Sequence, residues 1–321
     1  MAHTIFDPGK VGNAFFISYI RSKKSVVLAV YFYVLTELCI IFVSMICCPN
    51  VKINLGLNVL RKRADGFHDL ETLFVPYSGL SDRLEIVTGD DWSRTLADIK
   101  EKYGSPVQAV SPDGKLMITI ARAQGVDWDP LKDLTARAYM LLAADFDLPP
   151  MKIFLEKRSP VGAGLGGGSA DAAFALRMIS ELAGLDLSDD VLASYAARLG
   201  SDCAFFIYNR PMFGSGRGEI LEPYDLQLQG YRLEVFIPEG VAVSTADAYR
   251  GIVPALPEKP LREVLAQDIS TWKQDLRNDF ETTVFAAHPS LAPIKDTLYA
   301  RGAVYAAMSG SGSAFFGIYP D

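Results

Sequence analysis

Cysteine and histidine are scarce in this chain. Its 321 residues hold four cysteines, Cys39, Cys47, Cys48 and Cys203, and three histidines, His3, His68 and His288. No two cysteines form a C-x-x-C pair and their spacing fits no zinc pattern, so the thiols read as reduced side chains of a cytosolic protein. Adjacent Cys47 and Cys48 would point to opposite faces of a strand. The histidines are too scattered along the sequence to suggest a metal cluster. Basic charge is not in excess either. Lys and Arg number 31 against 38 Asp and Glu, a net charge of −7. That argues against a nucleic-acid-binding surface and leaves room for local basic pockets that hold phosphate. Internal repeats and low-complexity tracts are missing. What remains is half hydrophobic and 21% charged, a globular composition long enough for one large domain or two ordinary ones.

One long hydrophobic run stands out. Residues 25–48 carry a single charge, Glu37, and follow Arg21, Lys23 and Lys24. By length the run would pass as a membrane-spanning helix. Glu37 at its centre would cost about 3 kcal/mol, which the apolar residues, at about −0.4 kcal/mol each, could offset. Positive charge lies on both sides, however, with Lys52, Arg61, Lys62 and Arg63 following, so the orientation signal is weak. With the first basic cluster inside, the rest of the chain would lie outside. Met45 stands just before the first recognisable strand. We therefore read residues 1–44 as an extension, upstream sequence or a hydrophobic segment, with the natural start at Met45. No membrane partner is expected.

The body opens on a strand. Across 51–59, Val51, Ile53, Leu55, Leu57 and Val59 alternate with Lys52, Asn54, Gly56 and Asn58, the pattern of a half-buried strand. Lys52 and Asn54 thus share one face. Residues 63–68 form a turn punctuated by Asp65-Gly66. Strands are expected at 70–76 and 83–87. Residues 88–128 read as loops around one strand near 115–120, 130–144 as helix and 151–157 as strand. A helix over 170–183 ends at Gly184, and a second, capped by Ser188, ends at Gly200. Further on come a strand at 232–237, a linker at 254–260 and helices at 261–267 and 278–300. Last come two strands, 303–308 and 314–319, joined by the turn Ser309-Gly310-Ser311-Gly312-Ser313.

Between the strand at 151–157 and the helix after it, five of the seven residues in 162–168 are glycine. Bare backbone can approach a ligand closely there, and successive N–H groups can converge on an anion. The helix that follows adds unsatisfied N–H groups and the positive end of its dipole. Such a loop holds phosphate without a basic side chain, and Ser169 adds a hydroxyl at the helix start. A flexible loop or a plain cap would need fewer glycines. A Walker loop needs lysine before the Ser or Thr, and Gly168 is followed directly by Ser169. Gly162, Gly164 and Gly167 match G-x-G-x-x-G, but a second helix stands where a dinucleotide fold needs its next strand.

The run P-x-G-x-G-L-G-G-G-S-A-x-A-A at 160–173 resembles the ATP loop of the GHMP kinase superfamily. The segments 49–55, 63–72 (with its Asp-Gly-Phe-His turn), 199–206 and 309–313 are similar to other motifs of that superfamily. They occur in family order and span about 45–321. Within the superfamily the turn at 65–68 resembles the branch whose substrate is a cytidine-diphosphate-linked methylerythritol of the non-mevalonate route to isoprenoids.

The resemblance implies an α+β fold of two domains. An N-terminal ATP-binding domain at 45–225 would be like ribosomal protein S5 domain 2. A ferredoxin-like C-terminal domain at 226–321 would end earlier than its relatives. It implies a cytoplasmic kinase that uses ATP and Mg²⁺ to phosphorylate the 2-hydroxyl of that small-molecule substrate. Lys52 and Asp202 would be catalytic, Asp202 taking or orienting the hydroxyl proton and Lys52 holding Asp202. Pro160, Val161, Gly162, Ala163, Gly164, Leu165, Gly166, Gly167, Gly168, Ser169 and Ala170 would bind ATP. Asn54, Phe67, His68, Thr245 and Tyr249 would bind substrate, with Phe67 stacking where relatives often have tyrosine. Relatives usually place Asn before the central helix, where this chain has Asp133. The competing readings are another GHMP kinase, acting on a sugar, homoserine or a mevalonate-like alcohol, a nucleotide-binding protein without catalysis, or a membrane-tethered sensor. Taken singly, Asp202 could be an ordinary helix cap and His68 a plain turn residue.

Overall fold

Strands β1 (Phe16–Arg21), β2 (Val27–Leu35) and β3 (Leu38–Cys47) begin the part of the chain that the computed structural model describes, residues 16–21, 27–35, 38–89 and 94–321. The hydrophobic run that could have been a spanning helix is thus largely two strands, as its Val, Ile, Phe and Tyr content favours. No helix among the described residues is long and apolar enough to cross a membrane. Next come β4 (Asn50–Lys62), β5 (His68–Ser81) and β6 (Arg83–Thr88). The region 88–128, expected to be loop around one strand, holds helix α1 (Arg94–Tyr103) and two strands, β7 (Val107–Val110) and β8 (Leu116–Arg122). Helix α2 (Leu134–Ala143) leads to β9 (Met151–Lys157). Helices α3 (Gly167–Leu182), α4 (Asp189–Leu199) and α5 (Cys203–Tyr208) follow.

The last third contains β10 (Met212–Ser215), β11 (Ile220–Pro223), β12 (Tyr231–Phe236) and α6 (Thr245–Arg250). The helix expected at 278–300 is two, α9 (Phe280–Ala287) and α10 (Ala292–Ala300), preceded by α7 (Leu261–Leu265) and α8 (Ile269–Asp275). Pro289 and Pro293 explain the interruption, because proline lacks the N–H a continuous helix needs. Strands β13 (Tyr305–Met308) and β14 (Phe315–Pro320) close the chain as the expected antiparallel pair.

The fold divides into two compact units that share the chain between them. One takes the described residues up to 49 with 81–158 and 168–199; the other takes 50–80, 159–167 and 200–321.

The first unit is built on a seven-stranded sheet ordered β1-β2-β3-β6-β9-β8-β7. Its pairings are antiparallel except β8 with β9, where Ile118 lies opposite Ile153. A parallel pair needs a crossover, which α2 supplies. Asp133 caps α2, accepting from Thr135 N–H at 2.9 Å and from Trp128 Nε1 at 3.1 Å. A buried charge cluster also sits here. Lys157 Nζ lies 2.6 Å from Asp171 Oδ2 and also meets Asp82. Burial alone would lower the Lys157 ammonium pKa, yet Asp171 and Asp82 hold it above its ordinary value. Burial pushes the Asp171 carboxyl well up. Lys157 and Asp171 flank the glycine-rich stretch in sequence, so this ion pair joins its two stems.

The second unit has a sheet ordered β11-β10-β5-β4 and another ordered β12-β14-β13. The apolar face of β4 lies in the core. Val51, Ile53 and Leu55 pack in one cluster with Trp272, Leu276 and Phe316. Leu57 and Val59 pack in another with Phe280, Val284 and Phe315. The expectation of a half-buried β4 needs correction. Residues 50–59 are buried on both faces, because the glycine loop and Asp202 cover Lys52, Thr72 and Ser309 cover Asn54, and Glu71 covers Asn58.

Candidate active site

The glycine loop zigzags. Gly162, Gly164 and Gly166 have φ of 74°, 77° and 71°, the left-handed region that side chains resist. Ala163 and Leu165 between them send buried side chains into the core, so the loop is anchored at every second residue. Its carbonyls point inward. Leu165 O accepts from Lys52 N–H at 2.9 Å, and Ala163 O from Ala314 N–H at 3.1 Å. A Cβ on Gly166 would come within 3.2 Å of Lys52 Cε and Phe206, whereas one on Gly162 would meet nothing within 4 Å. The loop is therefore packed at its base and open at Gly162. Pro160 and Val161 lead into it, and Gly167 starts α3, three residues earlier than expected. Gly168, Ser169 and Ala170 follow in the first turn of that helix.

Lys52 is 3% exposed and faces the loop. Its ammonium donates to Asn54 Oδ1 at 2.5 Å and Gly164 O at 2.9 Å, and sits 3.3 Å from Asp202 Oδ2. The ring of Phe74 lies beneath it, 5.5 Å away. Asn54 is held in turn by Thr72, whose hydroxyl accepts from Asn54 Nδ2 at 3.1 Å and donates to Gly56 O at 2.6 Å. Asp202 precedes α5 but makes no capping hydrogen bond with its side chain. The carboxylate is left 32% exposed, and its ion-pair partner among the described residues is Lys52.

The turn at 309–313 touches the same group of atoms. Ser309 Oγ donates to Gly164 O at 3.1 Å and accepts from Asn54 N–H at 3.3 Å. Asn278, 2% exposed, holds this turn from behind: its amide donates to Met308 O and Gly310 O, both at 2.8 Å, and accepts from Phe280 N–H at 3.1 Å. Asn278→Ala should destabilise the protein by about 2 kcal/mol, because it strands buried carbonyls and one N–H. A denaturant midpoint unchanged from the parent would contradict this.

Of the residues expected on the substrate side, Asn54 lies against Lys52 and the other four fall in three separate contacts. His68 stacks on Tyr249 with ring centres 4.9 Å apart at 18°, and Tyr249 meets the edge of Phe280 at 4.7 Å. Burial and then the charge of Asp202 push the Tyr249 phenol up to about 12. Thr245 Oγ1 lies 3.0 Å from Ser311 Oγ. Phe67 is 53% exposed, with the Arg217 guanidinium over its face at 4.8 Å. The turn before it forms as expected, Phe67 N–H donating to Asp65 Oδ1 at 3.1 Å and Gly66 at φ 87°.

The chain resembles known proteins over most of its length. It is 46% identical over 275 residues to 4-diphosphocytidyl-2-C-methyl-D-erythritol kinase of Bacteroides fragilis, covering 86% of this chain and 92% of the relative. The chain belongs to the 4-diphosphocytidyl-2-C-methyl-D-erythritol kinase family. The enzyme of that name from Parabacteroides distasonis is also 46% identical over the same shares. A crystal structure of 4-(cytidine 5'-diphospho)-2C-methyl-D-erythritol kinase matches with a TM-score of 0.65 and 33% identity, over 85% of this chain and 89% of that one. The GHMP kinases N terminal domain matches residues 133–210 and the GHMP kinases C terminal domain matches 260–321. The α+β GHMP kinase fold expected from the motifs is therefore the fold of the chain.

As a member of this kinase family, the chain shows features that reading along the sequence did not reveal. Asn278 holds the 309–313 turn from 30 and 32 positions away, and Thr72 holds Asn54 from 18 positions away on the neighbouring strand. An Asn-Asp pair before a helix signals a cap, and that ordinary meaning hides the bonds to Met308 and Gly310. Arg217 over Phe67 has no sequence signature at all.

Proposed function

We propose that this chain moves the terminal phosphoryl group of ATP onto the 2-hydroxyl of 4-diphosphocytidyl-2-C-methyl-D-erythritol. The observation that carries the reading is Lys52 Nζ standing 3.3 Å from Asp202 and 2.9 Å from the carbonyl of Gly164 in the loop. Phosphoryl transfer asks the protein mainly for positioning and charge compensation. Asp202 accepts the proton of the attacking hydroxyl as its oxygen bonds to the γ-phosphorus and the bond to the ADP oxygen breaks. Lys52 holds that carboxylate and faces the charge of the transferring group. Loop residues 160–170 grip the ATP phosphates with backbone N–H groups, and the open space beside Gly162 suits that use. Asn54, Phe67, His68, Thr245 and Tyr249 hold the substrate, Phe67 and His68 at its cytosine.

ATP would bring Mg²⁺ with it. Among the described residues no cluster of three or more His, Cys, Asp or Glu could cage a metal. We expect the ion to be held largely through nucleotide oxygens and water, where it would neutralise phosphate charge. We place the ATP-binding domain at 45–225, the C-terminal domain at 226–321 and the enzyme in the cytoplasm, as a step of non-mevalonate isoprenoid synthesis.

Purified full-length protein with ATP should phosphorylate the cytidylated methylerythritol and leave homoserine, mevalonate and free sugars essentially untouched. Equal turnover of an alcohol lacking cytidine would replace this reading with that of another GHMP kinase.

A further inference from the structure

Helix α5 is tied to β4 at both ends, and only one tie belongs to the chemistry. At its start Asp202 meets Lys52. At its far end stands Asn209, which exchanges amides with Asn50. Asn50 Nδ2 donates to Asn209 Oδ1 at 3.1 Å, and Asn209 Nδ2 donates back to Asn50 Oδ1 at 2.8 Å. Asn50 is 8% exposed and also donates to the Val51 carbonyl at 3.0 Å. Asn50 and Lys52 are two residues apart on one strand, so they face the same way.

Asn209 closes α5 at φ 47° and ψ 48°, its N–H on Phe205 O at 2.8 Å. Glycine is the usual residue for such a cap, and asparagine one of the few alternatives. The backbone would accept either; the amide side chain adds the two bonds to Asn50. Between the two ties, α5 is a rod of six residues, about 9 Å long at 1.5 Å per residue. Core packing of Cys203, Ala204, Phe205, Phe206 and Ile207 holds the rod as a whole, and the two end ties set its fine tilt against β4.

We propose that the Asn50–Asn209 pair is a positioning device for phosphoryl transfer, the second anchor that fixes where the Asp202 carboxylate stands against Lys52. The inference rests on the catalytic reading of Lys52 and Asp202 given above. Neither asparagine touches the reacting groups. The pair acts through the orientation of α5, and misplacement of a catalytic group by about 1 Å can cost as much as 100-fold in rate.

The test is a double-mutant cycle in the full chain, read as kcat, KM and melting temperature. Asn209→Gly keeps the left-handed cap and removes only the amide. Its kcat should fall about 10-fold, with KM for ATP and for the cytidylated substrate within about twofold of the parent. Asn50→Ala should do the same, and the double variant should be no slower than either single one, because the pair works as a unit. The inference fails if kcat per folded enzyme stays within about twofold in Asn209→Gly, whatever the melting temperature does, or if the two losses multiply. If Asn50→Ala folds poorly, Asn209→Gly decides alone. Asp202→Asn runs alongside. Full activity in that variant would overturn the catalytic reading itself, while an inactive Asp202→Asn beside a fully active Asn209→Gly would overturn only the second anchor.

Discussion

Asp202→Asn should lower kcat by about 1,000-fold while leaving ATP affinity within a few-fold of the parent. General-base and charge effects of one positioned carboxylate are each worth about 100- to 10,000-fold. Asparagine keeps the shape and still offers an oxygen to Lys52 Nζ, now 3.3 Å from Asp202 Oδ2. The substitution does not uncap α5, since the Asp202 side chain makes no capping bond. Nor does it bury anything new at a side chain 32% exposed. The loss therefore isolates the charge and basicity of the carboxylate. Steady-state kinetics gives the rate and calorimetry the ATP affinity. An Asp202→Asn enzyme at full rate would remove the general base from the scheme.

Gly164→Ala should be the most damaging single methyl in the loop. At φ 77° any side chain is strained, which costs about 1–2 kcal/mol. Its Cβ would also stand 2.1 Å from the Ser309 carbonyl oxygen and 3.0 Å from the Gly312 nitrogen. Both are backbone atoms, so the chain has to move. The move takes with it the Gly164 carbonyl that accepts from Lys52 Nζ and from Ser309 Oγ. We expect a stability loss of about 3 kcal/mol and a fall in kcat/KM of at least about 100-fold. Gly162→Ala is the matched control: φ is 74° there too, but the methyl meets no protein atom within 4 Å. It should cost only the backbone strain, about 1–2 kcal/mol. Equal denaturant midpoints for the two variants would show that Gly164 is not packed against the 309–313 turn.

Local chemistry made part of this site legible. The alternation across 51–59 placed Lys52 and Asn54 on one face, and in the structure they share a hydrogen bond. The density of glycine at 162–168 located the loop, and the turn at 309–313 fell between the two strands expected. What stayed hidden depends on partners distant in sequence. At Lys52 the polar face of β4 is buried by residues more than 100 positions away, which no periodicity reports. The six apolar residues of α5 could equally have been a buried strand, since a short apolar run does not choose between the two. Helix α1 ends on Lys100 and Lys102 and lies in a polar region, where its pattern was lost among loop residues. Length and hydropathy let residues 25–48 pass for a spanning helix, whereas their β-branched and aromatic content matches the strands β2 and β3.

The central claim is that Lys52 and Asp202 act as one unit in the transfer step. Its most direct test is the single-turnover rate of γ-phosphoryl transfer from prebound ATP to the cytidylated methylerythritol. The rate should be compared across Lys52→Ala, Asp202→Asn and the double variant. Groups that work together are not additive, so the double variant should be no slower than the worse single one. A double variant slowed by the product of the two single effects would mean that the lysine and the aspartate, 3.3 Å apart, contribute independently.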